Sequence, residues 1–377
     1  MEAYRFPRWK GLAGAVFVAW RDLRFAKGRF ALMGTVITLI TLLVGLLSGL
    51  TAGLGQQNIS AITSLRADKI AFQAPGGAQG LSYANSTVTE HQWRRWSMAR
   101  GVASAEPLGI TTTKAGAGDT STGVTVFGIE PGSRLTAHSD MISSGAVVVS
   151  VSAADDLGVR AGGFLTLAGR RVEVAAVQGD AHFSHTPVIW AGLDDWQKIA
   201  PPDGSGGGRR ATVIALRTTP EADTAAIDRQ LGTETVSVED SLAAIGSYTS
   251  ENGSLQLMRG FLFVISALVI GAFFTVWTIQ RSGDVAVLKA LGASTAGLLK
   301  DALGQAVVLL VGGIGGGTAI TVAVGALVSG STVPFLLTPL TVLVPAAVMT
   351  LLGVLGAALS VRRITSVDPL TALGSVR

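Results

Sequence analysis

Tyr248, Glu251, Leu255 and Met258 follow one another at spacings of three, four and three, which on a helix places them on one face. Leu262 and Ile265 extend that face. The stripe sets a phenol, a carboxylate and a thioether at the head of an apolar wall, with the Arg259 cation beside it. Such an arrangement suits holding an amphiphile that arrives sideways, with polar ends met by donors and flat apolar parts met by the wall. Each residue also has a plainer use: a helix cap or surface role for Glu251, packing for Met258, an interfacial anchor for Tyr248 and snorkelling for Arg259. Gln56 and Asn58, far upstream, offer amides for hydrogen bonds. His182 and His185 lie three apart but lack the intervening glutamate of H-E-x-x-H. They precede a strand-like segment, so a surface role is expected for them. The chain has no cysteine, which excludes disulfides and thiolate chemistry. It also has no G-x-x-x-x-G-K-[ST] segment, so any nucleotide energy must come from another chain. No enzymatic activity is expected of this chain itself.

The elements that position these residues are largely membrane spans. Only 14% of the 377 residues are charged and 48% are apolar, against about a quarter charged in soluble domains. Four uncharged runs are long enough for the ~30 Å hydrocarbon core. They give spans at 30–54, 258–280, 302–329 and 340–361, the second built on the uncharged run 260–280 with Arg259 at its outer rim. The first is too long for a signal-peptide core and is read as a retained anchor. Gly312, Gly313, Gly315, Gly316 and Gly317 sit inside the third, where they allow close helix approach rather than phosphate binding. Apart from Arg259 at the rim, the spans lack ionisable side chains, which excludes intramembrane acid–base chemistry.

Charge sets the orientation. Residues 1–29 hold seven Lys/Arg against two acids, and Arg281, Lys289, Lys300, Arg362, Arg363 and Arg377 fall on the same side. Both termini and the 281–301 segment are therefore expected in the cytoplasm of a bacterial cell, with residues 55–257 outside the plasma membrane. Leu12, Val16, Trp20 and Leu23 mark residues 1–29 as an amphipathic helix lying on the anionic inner leaflet. The basic residues follow the membrane side, so no nucleic acid partner is expected. In residues 55–257 acids outnumber bases by 20 to 15, as suits a water-facing domain. Strand-like alternation at 145–151, 164–167, 171–177 and 186–190, with a short helix at 152–157, predicts an α+β domain. Gly204 to Gly208 reads as a surface loop. The expected fold is an α-helical membrane protein of four transmembrane helices, with this α+β extracytoplasmic domain inserted between helices 1 and 2.

Gln280-Arg-Ser-Gly-Asp-Val-Ala-Val-Leu-Lys-Ala-Leu-Gly-Ala293, followed by Gln305, is similar to the coupling segment of the MacB/FtsX superfamily of ABC permeases. Val367-Asp-Pro-Leu-Thr-Ala-Leu373 matches its C-terminal signature, and 145–200 resembles part of its extracytoplasmic core. The resemblance implies a homodimer with an ABC ATPase chain, binding ATP and Mg, docked beneath each copy. It implies ATPase coupling by Asp284, Val287, Lys289, Ala290, Leu291 and Gly292, with Asp284 where a glutamate is usual. Residues 362–377 form the cytoplasmic tail. A narrower resemblance, to the HrtB family of haem-regulated transporter permeases, is carried by 48–60, 244–248, 272–280, 333–338 and 356–360.

That narrower resemblance implies haem as the transported substrate, expelled from the outer leaflet, with no resident cofactor. Haem iron takes His, Cys, Met or Tyr donors. The candidate iron ligands on the stripe are Glu251 and Met258, roughly 10 Å apart along a helix, so donors shared across a dimer are expected. Tyr248, Arg259, Asn58 and Gln56 are the further candidate haem contacts. Phe183 stands where some relatives carry tyrosine. The alternative function is a mechanotransmitting permease that relays ATP cycles to an extracytoplasmic partner, or the export of another amphiphile.

Overall fold

A computed structural model describes residues 27–365 apart from 78, 202–207, 281–282, 284, 286, 288–291, 293, 329–330 and 332. The amphipathic helix expected before residue 27, the tail beyond residue 365 and most of the glycine-rich 204–208 loop lie outside the described residues. So do the coupling residues Asp284, Lys289, Ala290 and Leu291. The chain forms two compact units, Met1–Gly53 with Leu255–Arg377, and Leu54–Ser254.

Four long helices carry the membrane unit: α1 (Lys27–Thr63), α2 (Tyr248–Gln280), α3 (Thr295–Val328) and α4 (Pro339–Thr365). Each has a stretch long and apolar enough to cross a membrane. Three of them run well past the spans expected from hydropathy, α3 beginning at Thr295 rather than 302. α1 continues beyond 54 to Thr63, and α2 begins at Tyr248 rather than 258. Polar residues such as Gln56, Asn58, Glu251 and Asn252 end an apolar run but do not end a helix, because their backbone bonds are still made. Ile37, Val44, Phe274, Trp277, Leu310, Ile314 and Met349 form the shared core of the unit. Gly313 and Gly317 explain how α1 and α3 come close. A Cβ on Gly313 would lie 2.6 Å from the Ile37 side chain, and one on Gly317 would lie 2.6 Å from the Thr38 carbonyl oxygen. Thr38 Oγ1 also donates to the Gly313 carbonyl at 3.2 Å. Gly312 and Gly315 face open space, so only part of the glycine run serves packing.

The extracytoplasmic unit is built on one ten-stranded mixed sheet. Its strands are β1 (Lys69–Gln73), β3 (Val102–Ala117), β4 (Thr120–Ile129), β5 (Ala146–Val149), β6 (Phe164–Leu167), β7 (Arg170–Val177), β8 (His182–Phe183), β9 (Thr186–Gly192), β11 (Val213–Thr218) and β12 (Thr233–Ser237). Two short strands, β2 (Val88–Thr89) and β10 (Arg210–Ala211), pair separately. The order is β12-β1-β11-β3-β4-β9-β5-β7-β6, and β6 also pairs with β3 through Ala115↔Leu167. That pairing closes a six-stranded circuit from β3 through β4, β9, β5 and β7, which removes sheet edges there. The helix Leu193–Ile199 drops Trp196 onto β3 and β4, where Gly109 and Gly128 leave room for it: a Cβ at either position would lie 2.3–2.4 Å from Trp196 atoms. A second buried cluster joins Phe72, Tyr83, Phe127, Phe183 and Trp190 to Ile62 and Leu65, at and just beyond the end of α1. Phe183 therefore stands edge-on to Tyr83 and Phe127 inside the core. The architecture is the expected one, four spanning helices with an α+β domain inserted between the first two.

Candidate functional site

The extension of α1, the β8–β9 turn and the start of α2 meet at one carboxylate, in the extracytoplasmic unit. Glu251 lies in the first turn of α2, seven residues before the predicted span begins at 258. Asn58 Nδ2 donates to Glu251 Oε2 at 2.8 Å. His185 Nε2 lies 2.7 Å from the same oxygen. The His185 imidazole holds the Glu251 carboxyl below the usual carboxylate range, against the opposing effect of burial and with help from Ser247 and Asn58. Glu251 is thus an anionic acceptor at neutral pH, with its side chain 41% exposed.

Local sequence sets each partner in place. β8 and β9 pair at His182↔Pro187 and Phe183↔Thr186, leaving Ser184 and His185 as a two-residue turn. Both have positive φ, 49° and 63°, the geometry of a type I′ turn that normally takes Asn-Gly. The turn is fastened to α1 by its own backbone. Ser184 N–H donates to the Asn58 carbonyl at 2.9 Å, and His185 N–H to the Gln57 carbonyl at 3.0 Å. Ser60 Oγ adds a bond from the His182 N–H at 2.8 Å. Asn58 is 2% exposed, and its Oδ1 has no hydrogen-bond partner among the described residues.

The residues named from sequence are distributed unevenly around this centre. Glu251 and Asn58 meet directly. Gln56 is exposed and is not drawn in. Tyr248 packs against the extracytoplasmic core near Ile245. Met258 is 49% exposed further along α2, and Arg259 forms no ion pair among the described residues. His182 is buried, which corrects the surface role expected for it, whereas His185 is exposed as expected and its ring meets Glu251. His182 pairs within β8 while His185 lies in the turn itself, so the i, i+3 spacing does not gather the pair. Sequence reasoning missed His185 as a site residue. The positive φ it needs was not visible, and the strand-like runs at 171–177 and 186–190 left the short strand at 182–183 and its two-residue turn unmarked. No group of three or more His, Cys, Asp or Glu suited to a metal ion occurs among the described residues.

Beyond Glu251, α2 continues as an exposed apolar face of Met258, Phe261, Ile265 and Leu268. Within the membrane unit, Val264, Leu268, Gly271 and Ala272 of α2 form a groove of about 550 Å³ with Leu355 and Leu359 of α4. Of the stripe read from sequence, Met258 and Ile265 are exposed, while Leu262 is partly buried against the core of the membrane unit. In the coupling segment, Val287 is helical and exposed, and Gly292 has φ +92°, a conformation that favours glycine.

Comparison with known proteins covers most of the chain. Residues 31–234 match the MacB-like periplasmic core domain, and residues 257–369 match the FtsX-like permease C-terminal family. A provisionally named hemin transport system permease protein HrtB of Staphylococcus epidermidis is 22% identical over 368 residues, covering 95% of this chain and 99% of the relative. An uncharacterized ABC transporter permease of Mycobacterium bovis is 24% identical over 371 residues, with the same coverage of each. Among solved structures, the periplasmic region of MacB from Actinobacillus actinomycetemcomitans covers 48% of this chain and 92% of its own, at 14% identity and a TM-score of 0.32.

Proposed function

This chain belongs to the MacB/FtsX superfamily of ABC transporter permeases, and from that premise we propose that it is the membrane subunit of a pump expelling haem from the outer leaflet. The observation that carries this reading is the head of α2, where a fixed carboxylate precedes an exposed apolar helix face. Haem is an amphiphile with a Lewis-acidic iron, a flat apolar ring and two anionic propionates. Glu251 is the anionic donor for the iron and Met258 a second donor further along the helix. Tyr248 and Arg259 meet the polar edge, Arg259 suiting a propionate, while Gln56 is retained as an outer contact. Their spread along one helix favours a homodimer in which donors from two copies meet one iron. The narrow sequence likeness to HrtB-type permeases supports the choice of haem among amphiphiles.

An ABC ATPase partner supplies the energy, and it binds the ATP and Mg. Asp284, Val287, Lys289, Ala290, Leu291 and Gly292 form its docking element, with both termini cytoplasmic as the Lys/Arg distribution favours. ATP-driven closure of the ATPase pair would press the α2 helices together and expel the cargo outward. The test is an absorption titration of the purified complex with haem, repeated on Glu251→Ala and Met258→Ala. A saturable spectral change in wild type that either substitution alters upholds the site. Absence of a saturable change removes haem as cargo.

A second reading has its own observation. α1 and α2 pass without a break from one compact unit into the other, so strain applied at one end of either helix reaches its other end. Such helices suit a mechanotransmitting permease acting on an extracytoplasmic partner. Recovery of a stoichiometric extracytoplasmic partner, with no haem uptake, would select this reading.

A further inference from the structure

We propose that His185 is a positioning residue for Glu251: with Asn58 it holds one carboxylate oxygen, Oε2, and so fixes the orientation in which the carboxylate meets the cargo. The inference rests on the haem reading for its ligand and on the described geometry for everything else. Both close donors, Asn58 Nδ2 and His185 Nε2, fall on the same atom, Oε2. A carboxylate gripped at one oxygen by two donors has a set rotamer, the arrangement that outer-shell partners give metal ligands.

Three further observations bear on the assignment. First, Ser184 and His185 hold positive φ without being glycine or asparagine, and their N–H groups are anchored on the Asn58 and Gln57 carbonyls. Backbone strain of this kind persists only where surrounding contacts over-determine it, and here its result is His185 set against Glu251. Second, Asn58 is buried with Oδ1 unpartnered while Nδ2 is used on Glu251, so its amide is turned to serve the carboxylate. Third, the 2.7 Å between His185 Nε2 and Glu251 Oε2 is too short for donors on opposite faces of one haem. Those must stand about 4 Å apart, twice a metal–nitrogen bond of ~2 Å. The two therefore do not serve as opposite-face ligands of one haem in this arrangement, and on the haem reading one is the ligand and the other its orienter. The second donor on Oε2 identifies the carboxylate as the group being oriented.

The experiment uses the full chain with its ATPase partner in lipid nanodiscs, comparing wild type, His185→Ala and His185→Gln. Glutamine keeps an N–H donor in place of Nε2–H but cannot reproduce an imidazole ligand. Ferric haem is titrated by absorption and the bound form examined by electron paramagnetic resonance. The expected result is about tenfold weaker binding with an altered ligand field in His185→Ala, and recovery to within about threefold of wild type, with its spectrum, in His185→Gln. Tighter binding in His185→Ala would make His185 a blocker and overturn the proposal. Equal loss of an imidazole-type spectrum in both variants would make it a ligand and do the same, as would no change in either. A second arm needs no haem: the Glu251 carboxylate band is followed by infrared pH titration, assigned by subtraction of Glu251→Gln. His185→Ala should move its midpoint upward and His185→Gln should move it less. If wild type takes up no haem saturably, the cargo reading falls, and this arm alone decides the role of His185. An unmoved midpoint refutes it.

Discussion

Replacing Asn58 with leucine separates what the side chain does for Glu251 from what it does for the fold. The Asn58–Glu251 bond is charge-assisted, a class contributing about 1.5–3 kcal/mol. Glu251 is 41% exposed on its side chain, so water can replace the lost donor and the low end applies. The opposing term is Asn58 Oδ1, buried with no partner among the described residues. An unsatisfied buried acceptor costs about 1–3 kcal/mol, and leucine removes it at similar volume. The two terms nearly cancel, so Asn58→Leu should unfold within about 1.5 kcal/mol of wild type. Its effect should fall on the carboxylate, whose loss of one of two Oε2 donors should weaken haem uptake roughly tenfold. Thermal unfolding of the intact complex and the haem absorption titration read the two quantities separately. A stability loss above ~3 kcal/mol would show that Oδ1 is partnered in the native protein and would refute the reasoning. Asn58→Asp sharpens the contrast, since it sets a second carboxylate where 2.8 Å now separates a donor from Oε2. That variant should be destabilised and should bind protons at the pair.

Three other outcomes follow from the same structure. The Glu251 carboxyl is held below its usual range, so the clasp on the 182–186 hairpin should persist at neutral pH and through ordinary glutamate values near 4.3. It should be lost only as pH falls through the depressed native value; hydrogen exchange of the hairpin amides measures this, and Glu251→Gln should remove the dependence. Gly317→Leu and Gly313→Val force atoms into the Thr38 carbonyl and the Ile37 side chain, an overpacking of about 1–3 kcal/mol. Gly312→Ala and Gly315→Ala, which meet open space, should instead gain about 0.5–1 kcal/mol of helix stability, with protein yield and melting temperature as the comparison. Finally, Gly128→Val drives a side chain into Trp196 and should destabilise the extracytoplasmic unit by at least as much as the α3 changes; limited proteolysis of that unit in the intact chain reports it.

Much of the fold was legible because its signals are local. Hydropathy finds the four helices, since a lipid-facing span must be apolar along its whole length. The alternation at 164–167 corresponds to β6, and the runs at 171–177 and 186–190 fall within β7 and β9. Helix ends were less legible. α1 and α2 continue into polar sequence, where hydropathy falls but backbone hydrogen bonding does not. The closure of the circuit by Ala115↔Leu167 joins strands far apart in sequence, and nothing in either strand alone announces it.

The site divides in the same way. A periodicity of three and four residues by itself set Tyr248, Glu251 and Met258 on one face of a helix, because a helix fixes directions over short separations. The charge pattern by itself supplied an expected orientation, and the absence of a phosphate-binding loop sent the energy source to another chain. Only the tertiary structure decided that Glu251 meets Asn58, 193 positions earlier, and His185, 66 positions earlier. It also decided that His182 turns into the core while His185 does not. These contacts come from a strained two-residue turn anchored on the end of α1. Long-range contacts of that kind depend on how whole elements dock, and residue spacing carries no record of docking.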